Sequence, residues 1–174
     1  VEKLELKLRL QSKLIAHRGP DGQGLWTNDK RTVGFSHCRL SVIDLSSSGN
    51  QPMIGNDGNV LTYNGEIYNY KDLRENLSKS WQFKSNSDTE CILAAYAKYG
   101  YKCLSQLRGM YSFALWDSQR KKLFCARDRF GIKPFYYALV NRVLYFASEA
   151  KALLPFLNSI ETNNTALAEY LTFQ

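Results

Sequence analysis

Tyr111-Ser112-Phe113-Ala114-Leu115-Trp116, then Asp117-Ser118-Gln119-Arg120, then Leu123-Phe124-Cys125-Ala126-Arg127 is the stretch that decides the fold. Two runs rich in aromatic and branched residues flank a polar turn, the pattern of an antiparallel hairpin. A second hairpin follows, Phe135 to Val140 and Val143 to Ala147 about Asn141-Arg142. Toward the amino terminus, Tyr70 to Leu77 and Asp88 to Tyr99 carry helical periodicity. Ser87 stands where an N-cap would, and Glu90 three residues on completes a capping-box pattern. Toward the carboxyl terminus, Glu149 to Leu154 and Thr165 to Leu171 read as helices. Hairpin strands with helices segregated before and after them imply an α+β fold with antiparallel sheets.

The first half is less regular. In Val1 to Ala16, Leu4, Leu6, Leu8 and Leu10 alternate as in a strand, but length and the Glu, Lys, Arg and Gln content favour a helix. Arg18-Gly19-Pro20-Asp21-Gly22 breaks it. Thr32 to Asp44 suits a strand continuing through Arg39–Ile43, the run 46–52 is a loop, and Val60-Leu61-Thr62-Tyr63 is a short strand.

With 174 residues, 44% of them hydrophobic, the chain can bury a substantial core in one domain. Its net charge of +7 is scattered, and the densest cluster, Arg120-Lys121-Lys122, falls at a hairpin tip, so nucleic-acid binding is not expected. Cys38, Cys91, Cys103 and Cys125 form no C-x-x-C pair and only two histidines accompany them, which argues against a zinc site. Nothing reads as a signal peptide or membrane span, and the cysteines read as reduced thiols of a cytoplasmic protein. Asp128-Arg129-Phe130-Gly131 lacks the phosphate loop of a kinase, and Trp116-Asp117 lacks a propeller repeat. His37-Cys38 cannot be a nucleophile–base pair, because neighbours on a strand point to opposite faces.

Other residues carry two readings. Asn64-Gly65 is the strongest short hairpin signal, yet a glycine N–H beside an asparagine amide is also a pair of donors suited to a developing oxyanion. Arg39, at the head of the apolar run Leu40-Ser41-Val42-Ile43, either pairs with Asp44 or another acid or clamps a substrate carboxylate. Asp88 either complements its helix terminus or receives a substrate ammonium.

Seven segments together resemble the class II, N-terminal-nucleophile glutamine amidotransferases, in their asparagine-synthetase branch. They are His17-Arg18-Gly19-Pro20-Asp21-Gly22, Arg39-Leu40-Ser41-Val42-Ile43-Asp44, Asn64-Gly65-Glu66-Ile67-Tyr68-Asn69, Ser87-Asp88-Thr89-Glu90, the segments 109–114 and 126–134, and Ala147-Ser148-Glu149. They stand in the family's order and cover nearly the whole chain. The resemblance implies a four-layer αββα sandwich of two antiparallel sheets between helices. It implies that Arg39 holds the glutamine α-carboxylate and that Glu66 and Asp88 take its α-ammonium. Backbone near Leu40 and Val42 would line the pocket, and Asn64 with the Gly65 N–H would form the oxyanion hole. The implied activity is hydrolysis of glutamine to glutamate and ammonia, feeding ATP-dependent synthesis of asparagine from aspartate.

The family's nucleophile is an amino-terminal cysteine whose own α-amine, with an ordinary pKa near about 8, serves as base. This sequence opens at Val1, so as it stands it is expected to carry the pocket without the attacking group. Residues 1–160 are expected to form the amidotransferase domain and 161–174 to open an ATP-dependent synthetase domain that lies outside the sequence. No cofactor is expected in residues 1–160 and no metal; ATP and magnesium would serve the second domain. The expected partners are glutamine and that domain, with room for a homodimer, and none is a nucleic acid or a membrane. The alternatives are a catalytically dead glutamine-binding module, or an amidotransferase serving a different acceptor.

Overall fold

A computed structural model describes residues 2–173; Val1 and Gln174, which begin and end two of the expected segments, lie outside them. Helix α1 (Glu2–Leu14) takes the helical alternative. Its Leu4 and Leu8, one turn apart, pack over Gly34, where a Cβ would come within 2.6 Å of Leu8 Cδ1. Strand β1 (Gly22–Thr27) pairs antiparallel with β2 (Gly34–Arg39), Gly22 opposite Arg39 and Thr27 opposite Gly34.

Strand β2 stops at Arg39, where the sequence suggested a strand through Ile43. The chain turns because the Arg39 guanidinium donates back to the carbonyls of Asp44 and Ser46 and to Asn50 Oδ1, while Asp21 accepts from the Ser41 N–H. Leu40 and Val42 therefore sit exposed on a loop.

The main sheet is β3 (Met53–Ile54), β4 (Val60–Ile67), β5 (Gly109–Asp117) and β6 (Lys122–Arg127), hydrogen-bonded in that order and antiparallel throughout. The 111–127 hairpin forms in the expected place; Asp117 closes its turn by accepting from the Gln119 and Arg120 N–H groups and from Tyr96 Oη. β4 runs straight through Asn64-Gly65, so the hairpin-turn reading of that pair is excluded. Gly65 is required because a Cβ there would overlap the Met110 carbonyl on β5. Strands β7 (Tyr136–Val140) and β8 (Val143–Ala147) form the second hairpin, with Asn141 and Arg142 at φ of 50° and 63°, the two positive values that a tight primed turn needs.

Helices α2 (Tyr70–Leu77) and α3 (Asp88–Tyr99) cover one face of the main sheet. Leu61, Tyr63 and Leu115 from the sheet pack there against Leu77 and Ile92 in one continuous core. Ser87 caps α3 by accepting from the Thr89 N–H, but the capping box does not close. Glu90 instead accepts from Trp81 Nε1 and from the Lys84 and Ser85 N–H groups, tying down the preceding loop. After β8 come two 3₁₀ turns, Ala150–Ala152 and Leu154–Phe156, in place of the expected α-helix; Pro155, with no N–H to donate, stands in the second. Helix α4 (Asn164–Thr172) is capped by Asn163 and buries none of its residues.

The opposite face of the main sheet carries both hairpins, held by Phe35, Val60, Ala114 and Trp116 together with Phe135 and Phe146. Helix α1 roofs both: Ser12 O accepts from Cys38 Sγ of β2, and Gln11 Nε2 donates to Phe146 O of β8. The order helix, hairpins, sheet, helices is a four-layer αββα sandwich. Its second β layer is two hairpins that, among the described residues, belong to separate two-stranded sheets. No described helix is long and apolar enough to cross a membrane.

Candidate active site

A cavity of about 1090 Å³ opens between the hairpins, floored by β4 and β5 and roofed by α1. Strand alternation decides what faces it. On β2, Phe35, His37 and Arg39 share the face turned to the main sheet; on β4, Val60, Thr62, Asn64 and Glu66 face them. Phe35 and Val60 make one end apolar, whereas Arg39, Asn64 and Glu66 make the other polar.

Arg39 is buried, and its ion-pair alternative with Asp44 does not form: it touches the Asp44 carbonyl, not the carboxylate. Its Nη1 is spent on Ser46 O (2.9 Å) and Asn50 Oδ1 (2.7 Å), which fixes the guanidinium plane while Nε bonds to no described residue. Asp88, buried at the start of α3, accepts from Tyr63 Oη (2.7 Å) and the Ile67 N–H (2.9 Å), both on Oδ2. Its Oδ1 accepts from no described residue. Burial, reinforced by the Asp88 charge, pushes the Tyr63 phenol far up, so it stays a donor. Asn64 Nδ2 is buried without a hydrogen-bond partner among the described residues. Gly65, Glu66, Leu40 and Val42 also line the cavity, so it gathers all seven residues singled out from the sequence.

Sequence reasoning missed three supporting features. His37 was dismissed as half of a dyad, yet stepping by two from Arg39 would have put it on the cavity face. Burial, with help from the Arg39 charge, lowers its pKa to about 4, so the ring is neutral, its Nδ1 3.3 Å from Thr62 Oγ1. Ser112, opposite Asn64 on β5, donates to Pro134 O. The third is the meeting of two segments that had no assigned role. Glu149 takes His17 at 2.9 Å, Arg18 at 3.2 Å and Lys151 at 3.0 Å, and these hydrogen bonds, Lys151 first, hold its carboxyl down at about 2. That cluster ties the 16–21 turn to the end of β8, and Gly19 in the turn lies so close to Cys38 and Arg39 that no Cβ would fit.

None of the four thiols is a ready nucleophile. Burial raises Cys91 to about 12 and Cys103 and Cys125 to about 11; Cys38 is raised for the same reason and faces α1. Among the described residues no group of three or more His, Cys, Asp or Glu could hold a metal ion.

Residues 2–174 match the family model for the glutamine amidotransferase domain. The chain is similar to the amidase chry2 of Gibberella zeae, 46% identical over 90% of this chain and 23% of that protein. It is also similar to the glutamine-hydrolysing asparagine synthetase 1 of Bacillus subtilis, 44% identical over 96% of this chain and 26% of that protein. Among solved structures, the glutamine phosphoribosylpyrophosphate amidotransferase of B. subtilis superposes with a TM-score of 0.70 over 83% of this chain and 39% of that one; at 20% identity the likeness is one of fold. The chain spans about a quarter of the length of these two curated relatives.

Proposed function

The chain belongs to the glutamine amidotransferase domain family, and from that membership we propose that its cavity hydrolyses glutamine to glutamate and ammonia, the ammonia serving asparagine synthesis in a longer polypeptide. The observation that carries this reading is the orphaned Asn64 amide. A buried donor with no acceptor costs stability, so its retention fits an oxygen that arrives with substrate. Beside it the Gly65 N–H supplies the second donor for the tetrahedral oxyanion. Arg39 receives the α-carboxylate through donors its loop leaves unused, while Glu66 and the free Oδ1 of Asp88 receive the α-ammonium. Leu40 and Val42 contribute backbone to the same pocket.

The attacking group in this reading is a cysteine thiolate with a free α-amine as its base, carried on an extended segment that enters between β2 and β8. The unjoined hairpins and the high pKa of every internal thiol support it. Attack forms the thioester and the amine protonates the departing ammonia; water then releases glutamate. Residues 161–174 open the synthetase domain, where ATP and magnesium activate aspartate. Four cysteines, none in a disulfide, support a cytoplasmic location.

The likeness to chry2, as close as that to the synthetase, favours a second reading in which ammonia goes to a different acceptor. The test is glutamate release by the full-length polypeptide with its natural amino terminus. Arg39→Ala should raise KM for glutamine about tenfold or more with kcat largely kept, as expected for losing a charged hydrogen bond made in ground and transition states alike. A full-length enzyme that binds glutamine and releases no glutamate sinks the hydrolytic reading; asparagine missing from the products with aspartate and ATP present favours the other acceptor.

A further inference from the structure

The loop after β2 is held from two sides, and the second hold reaches the other half of the pocket. Asp21 accepts from the Ser41 N–H at 2.7 Å, which ties the loop to the turn before β1. Asp44 divides its carboxylate between two segments. Oδ1 accepts from the Ser46 N–H at 2.9 Å and from Ser46 Oγ at 2.6 Å, closing a turn within the loop. Oδ2 accepts at 2.9 Å from the N–H of Asn86, 42 residues along the chain. These bonds, the Ser46 hydroxyl first, hold the carboxyl below the ordinary carboxylate range, so it is charged at neutral pH. Gly49 packs against the same residue: a Cβ there would come within 3.3 Å of Asp44 Cβ and 2.6 Å of Arg39 Nη2.

Each end of this link carries one half of the head-group site. The Asp44 carbonyl accepts from the Arg39 guanidinium, and Asn86 stands two residues before Asp88. Arg39 belongs to β2 in one β layer, whereas Asp88 is held by Tyr63 and Ile67 of β4 in the other. Asp44 spans the two. An α-amino acid carries its carboxylate and its ammonium on one carbon, so a clamp and an acceptor take both at once only if their spacing is fixed. We propose that Asp44 is a positioning residue that sets this spacing, and so makes the cavity select an amide bearing an α-ammonium over the same amide without one. The proposal rests on the glutamine reading above and deepens it.

The test compares glutamine with glutaric acid monoamide, which keeps the amide and the carboxylate and lacks the α-ammonium, in the full-length chain with its natural amino terminus. In Asp44→Ala, KM for glutamine should rise about tenfold with kcat within about threefold, since the head group is held alike in ground and transition states. The constant for the monoamide, read as KM or as Ki against glutamine, should move less than about twofold, because a clamp with no second contact to satisfy can follow its ligand. The preference for glutamine therefore shrinks. Asn86→Pro deletes the N–H at the other end of the bond and should repeat the shift, which keeps the test open if Asp44→Ala fails to fold. Ser46→Ala leaves the Asn86 bond in place and should keep the preference. In an Asp88→Asn background, Asp44→Ala should add little to KM, because the acceptor whose place it sets is already lost. Equal losses on both ligands, an unaltered preference, or full additivity with Asp88→Asn overturns the proposal and leaves Asp44 a brace of its own loop. If the wild-type chain releases no glutamate, the function proposed above fails; calorimetric binding of the two ligands then reads the same preference, and binding of neither overturns this proposal too.

Discussion

The two faces of β4 behave as different materials. Leu61, Tyr63 and Ile67 point into a closed core with α2 and α3, whereas Thr62, Asn64 and Glu66, one residue out of step, point into a cavity with a buried amide left unpaired. Period-two alternation lets one strand carry stability on one side and chemistry on the other. The sharpest way to break that division is a pair of variants measured in the same full-length protein. Leu115→Ala, in the closed core, should cost about 2–5 kcal/mol of unfolding free energy while the folded fraction keeps its turnover. Asn64→Ala should lower kcat for glutamine by roughly 10²–10³ at unchanged or slightly higher stability, since it removes an unsatisfied buried donor. Equal stability losses from the two, or an unaltered kcat in Asn64→Ala, would erase the distinction.

Asp88 stands where the faces meet, with one oxygen on Tyr63 and Ile67 of β4 and the other turned to the cavity. Asp88→Asn keeps an acceptor for both bonds but presents an amide donor where an ammonium must sit. KM for glutamine should rise by about tenfold to a hundredfold, the worth of a charged hydrogen bond, with a much smaller change in the denaturation midpoint. A large stability loss with KM intact would make Asp88 a part of the core alone.

The same division explains what could be read from sequence. The 111–127 and 135–147 hairpins were legible because aromatic and branched runs alternate around polar turns, and α2 and α3 because their apolar spacing is helical. β1 was not: Gly22-Gln23-Gly24 has little strand propensity, and Gly24 is there because its backbone lies against Gln51. The loop after Arg39 looked like a strand because Leu40, Val42 and Ile43 are apolar, and what bends it is a guanidinium reaching carbonyls up to Ser46, invisible to any local pattern. Asn64-Gly65 stayed ambiguous for a related reason. The dipeptide that favours a turn also permits the close approach of β4 to β5, and only the partner strand tells them apart. The residue types of the site were legible as charges and amides; the neutral His37 and the Glu149 cluster depend on burial and on contacts more than a hundred residues apart.

His37 gives the smallest test, because it sits at the boundary between the apolar and polar ends of the cavity face, with Arg39 two residues along β2 and Thr62 beneath it. Its folded pKa of about 4 lies below the unfolded value of 6.5, so between those values the unfolded chain binds the proton and the folded one does not. Stability contributed by the neutral ring is therefore complete above pH 6.5 and is lost as pH falls toward 4. On the order of 1 kcal/mol should disappear between pH 7 and 5.5. Glu149, depressed to about 2, loses its contribution only in a lower window, below its unfolded value of 4.5, so the two can be separated. Denaturant midpoints in His37→Gln should flatten between about pH 4.5 and 7.5 and keep the decline due to Glu149 at lower pH. An imidazole that titrates near 6.5 by NMR, or a slope untouched by the substitution, would show that water in the cavity hydrates this ring and that the apolar end of β4 does not reach so far.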